Sequence, residues 1–204
     1  MPKRYWLMKT EPETFSIDDL ERLGREPWTG VRSHFAKFHM RAMTVGDGVL
    51  FYHSSCDPPG VAGLATVSKT GVVDETQFDP DSQYFDPKSK REAPTWDCVE
   101  VELVEKLPRF VALPEIRADS LLADMMLLKR GMRLSVQPVT DAEYARIVQL
   151  SREPAPPPPP PRKPKAKAKA KAKAKAKANA RPKRRASAKA VPRARQAARR
   201  RART

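Results

Sequence analysis

From Ser151 to Thr204 the chain has no aromatic residue, a single acid (Glu153) and 21 lysines and arginines. Such a stretch lacks the apolar surface needed to offset the conformational entropy lost on folding. Any packed structure must therefore come from residues 1–150, which hold all three Trp, four Tyr and seven Phe. That length suffices for one domain with its own core. The charge divides at the same place. Residues 1–150 carry 19 Lys and Arg against 23 Asp and Glu, a net of −4, whereas the remainder nets +20. A run so nearly free of acids points to a polyanionic partner rather than to a merely solvated surface.

The cationic part has its own order. Residues 151–164 read as a Pro-rich linker, and Pro156 to Pro161 is an unbroken run expected to form a polyproline II spacer rising about 3.1 Å per residue. Residues 165–204 are expected to be disordered without nucleic acid. Lys165 to Ala178 alternates strictly between lysine and alanine, and Arg181 to Arg203 is Arg-rich. Closely spaced cations of this kind contact phosphates without sequence preference, and their binding weakens steeply with salt.

Within residues 1–150 the pattern predicts short strands broken by short helices. Tyr5 to Met8 reads as a strand, and Ser16 caps a helix that places Ile17, Leu20 and Leu23 on one face before Gly24 ends it. A second helix is expected from about Ser33 to Met43, after the turn Trp28-Thr29-Gly30-Val31-Arg32. Val49 to His53, Val61 to Val67 and Trp96 to Val104 are strand candidates, the last with Val99, Val101 and Leu103 facing a core. Residues 74–95 read as a long surface loop. Leu113 to Leu128 holds one or two short helices, Arg133 to Val139 is extended and stopped by Pro138, and Asp141 to Leu150 is a closing helix. The order does not alternate regularly enough for a parallel doubly wound sheet, so the class is α+β with a bent sheet or open barrel.

Several function classes lack their signatures. The chain has no Gly-rich phosphate loop, no GxSxG and no HExxH. His34, His39 and His53 do not have zinc-site spacing, and Cys56 and Cys98 form no CxxC, so no metal or cofactor is expected. A Cys98–His53 nucleophile pair is weaker than the structural reading of two isolated residues. Two cysteines fit a reduced, cytoplasmic setting. No signal peptide is expected, and no apolar run approaches the ~20 residues of a membrane span.

Three segments carry the residue types that read a base. Trp28 beside a Gly-bearing turn at a helix start offers an aromatic wall with backbone N–H groups aimed outward, although a core Trp explains the same residues equally well. Phe51-Tyr52-His53-Ser54-Ser55 ends a strand in small polar residues. Arg133-Leu134-Ser135-Val136-Gln137-Pro138 puts a hydroxyl and an amide on one face. Hydroxyls and amides read the Watson–Crick edge of an extruded base, and an aromatic supplies the stacking surface.

Five segments in order resemble one family: Tyr5-Trp6-Leu7-Met8-Lys9-Thr10-Glu11-Pro12; Trp28-Thr29-Gly30-Val31-Arg32; Gly46-Asp47 with Phe51-Tyr52-His53-Ser54; Pro94-Thr95-Trp96; and Arg133-Leu134-Ser135-Val136-Gln137-Pro138. They look like the EVE domain, and the likeness covers nearly all of residues 3–150. It implies a PUA-like fold, a bent β-barrel with short helices packed around it, related to the YTH and ASCH domains. It also implies a pocket for a flipped, modified base, for EVE a modified cytosine in DNA. The chain departs from the family pattern after Arg32, where Ser33 and Ala36-Lys37-Phe38 replace an Asn and an Ala-Arg-Asn, so an amide is lost at two places. The basic tail lies outside the family pattern and resembles the Lys/Ala/Pro tails of linker-histone-like bacterial proteins.

The reading is therefore a non-enzymatic, monomeric nucleic-acid reader, with DNA favoured over RNA and no membrane partner. It would be nucleoid-associated in a bacterium and nuclear in a eukaryote. Trp6 and Trp28 are the candidates for stacking or pocket walls. Arg32, Ser33, His53, Ser54, Ser135 and Gln137 are the candidates for polar contacts to the base edge or phosphate. The rival readings are a reader of modified RNA and a general DNA-compacting protein.

Overall fold

The structure, a computed structural model, describes residues 2–155. The expected proline spacer and the Lys/Ala- and Arg-rich segment lie outside the described residues. Six strands form one sheet: β1 (Tyr5–Thr10), β2 (Arg25–Pro27), β3 (Gly48–His53), β4 (Gly60–Val73), β5 (Asp97–Ala112) and β6 (Val136–Val139). Their order across the sheet is β2-β5-β4-β3-β1-β6, and the β1–β3 pair alone is parallel. Among the described residues four α-helices accompany them: α1 (Ile17–Leu23), α2 (His34–Ala42), α3 (Leu113–Ala118) and α4 (Asp141–Arg152).

Both faces of the sheet are buried. Trp6, Met8, Val49 and Phe51 enter one core with Ile17 and Leu20 of α1 and Ala36 and Met40 of α2. Leu7, Leu50 and Tyr52 enter a second core with Ile116 of α3 and Ile147 and Leu150 of α4. Because successive side chains on a strand point to opposite faces, this two-sided burial explains why β1 and β3 read as unbroken apolar runs. The sheet is bent by its two longest strands. β4 and β5 pair with register shifts at four places, and β5 passes from the first core (Cys98, Val99, Val101) into the second (Leu107, Val111). The shifts are bulges or irregularities of pairing, and a bulge adds twist and curvature. Cys98 is buried beside Val99, so the one-sided alternation expected for this strand fails at its first register shift.

Capping follows the sequence closely. The Ser16 hydroxyl accepts from the Asp19 N–H while the Asp19 carboxylate accepts from the Ser16 N–H, and Thr140 with Glu143 repeats the arrangement on α4. Pro138 lies inside β6 and does not stop it. The strand is at a sheet edge, where a missing N–H costs little, and Pro27 occupies the other edge in β2 for the same reason. α4 continues through Arg152, two residues past the expected end. Its last turn is held by Arg146 Nη1 donating to Glu153 Oε1 at 2.9 Å and Arg109 Nε donating to the Glu153 carbonyl at 3.0 Å. No helix among the described residues is long and apolar enough to cross a membrane.

Candidate functional site

The segment 74–95 is more than a surface loop. Gln77 is fully buried in it, and its amide donates to the carbonyls of Asp74 (2.8 Å) and Trp96 (2.7 Å) while accepting from the Trp96 N–H (2.9 Å). Buried Asp74 is the second anchor. Its carboxylate accepts from the Gly30 N–H at 2.8 Å, from Arg32 Nη1 at 2.7 Å and from the Thr76 N–H at 3.0 Å. Burial alone would push the Asp74 carboxyl up, but the hydrogen bonds from Arg32, Thr76 and Gly30 outweigh it and hold the group below the usual carboxylate range. The loop is thus tied to the turn that follows β2.

That tie builds one wall of a cleft of about 960 Å³. The turn runs through Gly30, whose φ of +79° suits glycine. A Cβ there would also meet the Tyr84 ring at 2.7 Å, so the absent side chain lets the loop tyrosine approach the backbone. Arg32 donates to the Tyr84 carbonyl (2.7 Å) and Thr76 Oγ1 (2.9 Å), with its guanidinium 5.5 Å from the Tyr84 ring and 5.4 Å from the Trp96 ring. Trp28 lines the cleft as well. Its ring meets Phe51 edge-on at 5.4 Å and Phe15 at 6.4 Å, and its backbone N–H donates to the Val99 carbonyl at 2.7 Å. The opposite wall brings Ser54 and Ser55 from the end of β3 together with Met132, Arg133 and Ser135 before β6.

The three tryptophans differ in one respect. Trp6 donates its indole N–H to Asp47 at 2.9 Å and Trp96 donates to Asp86 at 2.8 Å. Among the described residues the Trp28 N–H has no acceptor, yet it is not sealed in the core, where an unpaired group would cost about 1–3 kcal/mol. Trp28 also lines the cleft.

The EVE domain family matches residues 4–150 of this fold. The chain belongs to the EVE domain family. Thymocyte nuclear protein 1 from Danio rerio is 40% identical over 72% of this chain and 72% of its own, and the Homo sapiens protein is 37% identical over 74% and 76%. Among solved structures, a hypothetical protein from Leishmania major matches with a TM-score of 0.71 at 45% identity, covering 74% of this chain and 96% of its own. Human THYN1, in complex with 5-methylcytosine-containing DNA, matches with a TM-score of 0.71 at 35% identity, over 75% of this chain and all of its own. The fold is the PUA-like α+β architecture that the sequence motifs imply.

This EVE domain gathers five of the eight residues singled out in the sequence: Trp28, Arg32, Ser33, Ser54 and Ser135 all line the cleft. Their roles differ. Arg32 has most of its donors committed to the loop, and Ser33 caps α2 by accepting from the Ala36 N–H at 3.4 Å. The Ser54 hydroxyl donates to the Thr10 carbonyl at 3.1 Å. Three residues lie elsewhere. Trp6 is a core residue pinned by buried Asp47, which also accepts from Thr44. His53 turns inward, where its Nε2 accepts from the Ile17 N–H at 3.1 Å. Gln137 pairs with Leu7 in β1 and so shares the face of the second core, away from the cleft. It is fully buried there, its amide N–H donating to the Leu134 carbonyl at 2.9 Å. Cys98 is buried with its thiol pushed up to about 12, chiefly by desolvation, which removes it as a nucleophile. Sequence reasoning missed Tyr84 and Asp74. The Asp-Pro turns of the loop gave no sign that it folds back onto Gly30.

Asp74→Asn tests the brace. The variant keeps an acceptor but leaves the Arg32 guanidinium without its charged partner, a change of about 1.5–3 kcal/mol. A folded-state carboxyl held below its unfolded value stabilises the fold above pH ~4 and loses that contribution as pH falls through the lowered value. The wild type is therefore expected to be more stable than Asp74→Asn at neutral pH, with the gap closing under acid. Thermal melts at several pH values check this, and a gap independent of pH would show that the charge on Asp74 is irrelevant.

Proposed function

We propose that this protein is a non-catalytic reader that takes a modified cytosine, swung out of DNA, into the cleft between Trp28 and the Ser54–Ser135 wall. The observation that carries the reading is the Trp28 indole N–H, left without an acceptor among the described residues, on a residue that lines a cleft shared with the hydroxyl side chains of Ser33, Ser54, Ser55 and Ser135. A donor there and hydroxyls opposite suit a pyrimidine edge, which presents both acceptors and a donor. Val31, Met132 and Phe15 supply apolar contact for a ring substituent. The volume is within the range of small-ligand sites. The 5-methylcytosine-containing DNA bound in the human THYN1 complex gives the chemistry of the base.

The test is a binding competition with oligonucleotides that differ at one cytosine, unmodified or 5-methylated, as DNA and as RNA of the same sequence. Tighter binding of methylated DNA is the expected result. Equal affinity for both DNA oligonucleotides would overturn the reading, and a preference confined to RNA would replace it with the RNA reader.

A further inference from the structure

α2 begins at the cleft and leaves one face uncovered. Ala36 and Met40 enter the first core; His34 stacks on Trp96 at 4.8 Å, Lys37 donates to the Thr95 carbonyl at 2.9 Å, and Arg41 pairs with Asp97. The remaining face carries Phe35 and Phe38, which are 74% and 70% exposed, one helical turn apart. They follow Ser33, which caps the helix and lines the cleft. Two phenylalanines left in water beside a binding cleft serve no packing within the domain.

The charge around them indicates what covers them. From Pro27 to Gly46 the chain has no acid and three cations, and from Met125 to Thr140 it again has none and three, Lys129, Arg130 and Arg133. These two stretches border the cleft through Ser33 and Arg133, in a domain that is net negative. Lys129, Arg130 and Arg133 are exposed and belong to no ion pair among the described residues. Glu11 and Glu26 also line the cleft, so it is these two stretches that carry cations without acids; exposed, unpaired cations there suit a phosphate backbone, whereas an apolar protein partner would need no such selection.

We propose that Phe35 and Phe38 are a wedge that enters the base stack where the read nucleotide has left it, so that the cleft takes its base from a duplex. The inference rests on the proposed function of the cleft and adds the strand state of the target. Apolar side chains inserted at a base step hold an unstacked duplex open, offsetting the cost of extrusion. A single strand has no gap to hold, so the wedge matters only on duplex.

The full chain is tested with excess unmodified competitor DNA against one 5-methylcytosine, in duplex and in single-stranded form, with 2-aminopurine beside it to report unstacking. The variant carrying both Phe35→Ala and Phe38→Ala is expected to keep the wild-type melting temperature and single-strand binding. It should lose at least about tenfold in duplex affinity, together with the fluorescence rise. Phe38→Trp, an aromatic replacement, should retain both. Undiminished duplex binding by the double variant, or an equal loss on both forms, would overturn the wedge. If the wild type selects the methylated single strand but never unstacks the duplex, the wedge fails and the cleft reading stands. Absence of selectivity on either form defeats both.

Discussion

Replacing Trp28 with alanine is expected to lower the melting temperature and to remove selective base binding in the same variant. The ring is only 6% exposed and packs on Phe51 and Phe15, so truncation leaves a cavity in the first core. A large-to-small change of this kind costs about 3–5 kcal/mol. In a domain of this size that is roughly a 6–20 °C fall in Tm. Trp28 also lines the cleft and its indole N–H has no acceptor among the described residues, so even the folded fraction should discriminate poorly. So little exposed surface cannot provide a full stacking face, which shifts stacking to Tyr84, half-buried across the Gly30 turn. Trp28→Phe separates the two roles, because it keeps most of the packing and deletes the N–H. Loss of selectivity with a small fall in Tm is the expected outcome. Wild-type selectivity in Trp28→Phe would show that the indole N–H contacts no base.

The position of Trp28 also shows what a linear pattern can and cannot carry. Pro27 before it and Gly30 after it mark a turn, and the turn is there, but burial was decided by Phe51 and Val99, far away in the chain. Local signals were otherwise legible: the caps Ser16 and Ser33 lie where a hydroxyl precedes an apolar periodicity, and β1 and β3 follow their apolar runs. The cleft residues on turns and strand ends, Ser54 and Ser135, were legible because small polar residues there face outward. Gln137 and Trp6 were misleading for a physical reason. A side chain's face on a strand depends on pairing register, and Gln137 opposite Leu7 points to the second core. Tyr84 and Asp74 were illegible because their roles arise only when the loop closes on Gly30 and Arg32. Pro138 misled because proline stops a central strand but is tolerated at an edge, and edge status is a property of the assembled sheet.

Removing residues 156–204 is expected to produce the largest change in affinity and almost none in selectivity. That segment carries 20 lysines and arginines and no acid, and the remaining 155 residues net −4. Binding through Z phosphates falls with salt at a log–log slope of about −0.9Z on duplex DNA, so even six to ten contacts change affinity by about 10³–10⁵ between 50 and 200 mM salt. A protein ending at Ala155 loses this contribution and retains the few cations at the cleft border, so its slope should be shallow and its low-salt affinity lower by about 10³ or more. The cut belongs after Ala155 rather than Leu150. Ser151 is buried, and Glu153 holds Arg109 and Arg146, so the shorter product would be destabilised for reasons unrelated to DNA. The ratio of affinities for methylated and unmodified DNA should survive the cut, because phosphate contacts carry no information about the base. Titrations of both proteins across a salt series decide the matter. An unchanged slope in the shortened protein would place the phosphate contacts on the domain itself. A selectivity that vanished with the tail would mean that the cleft does not read the base alone.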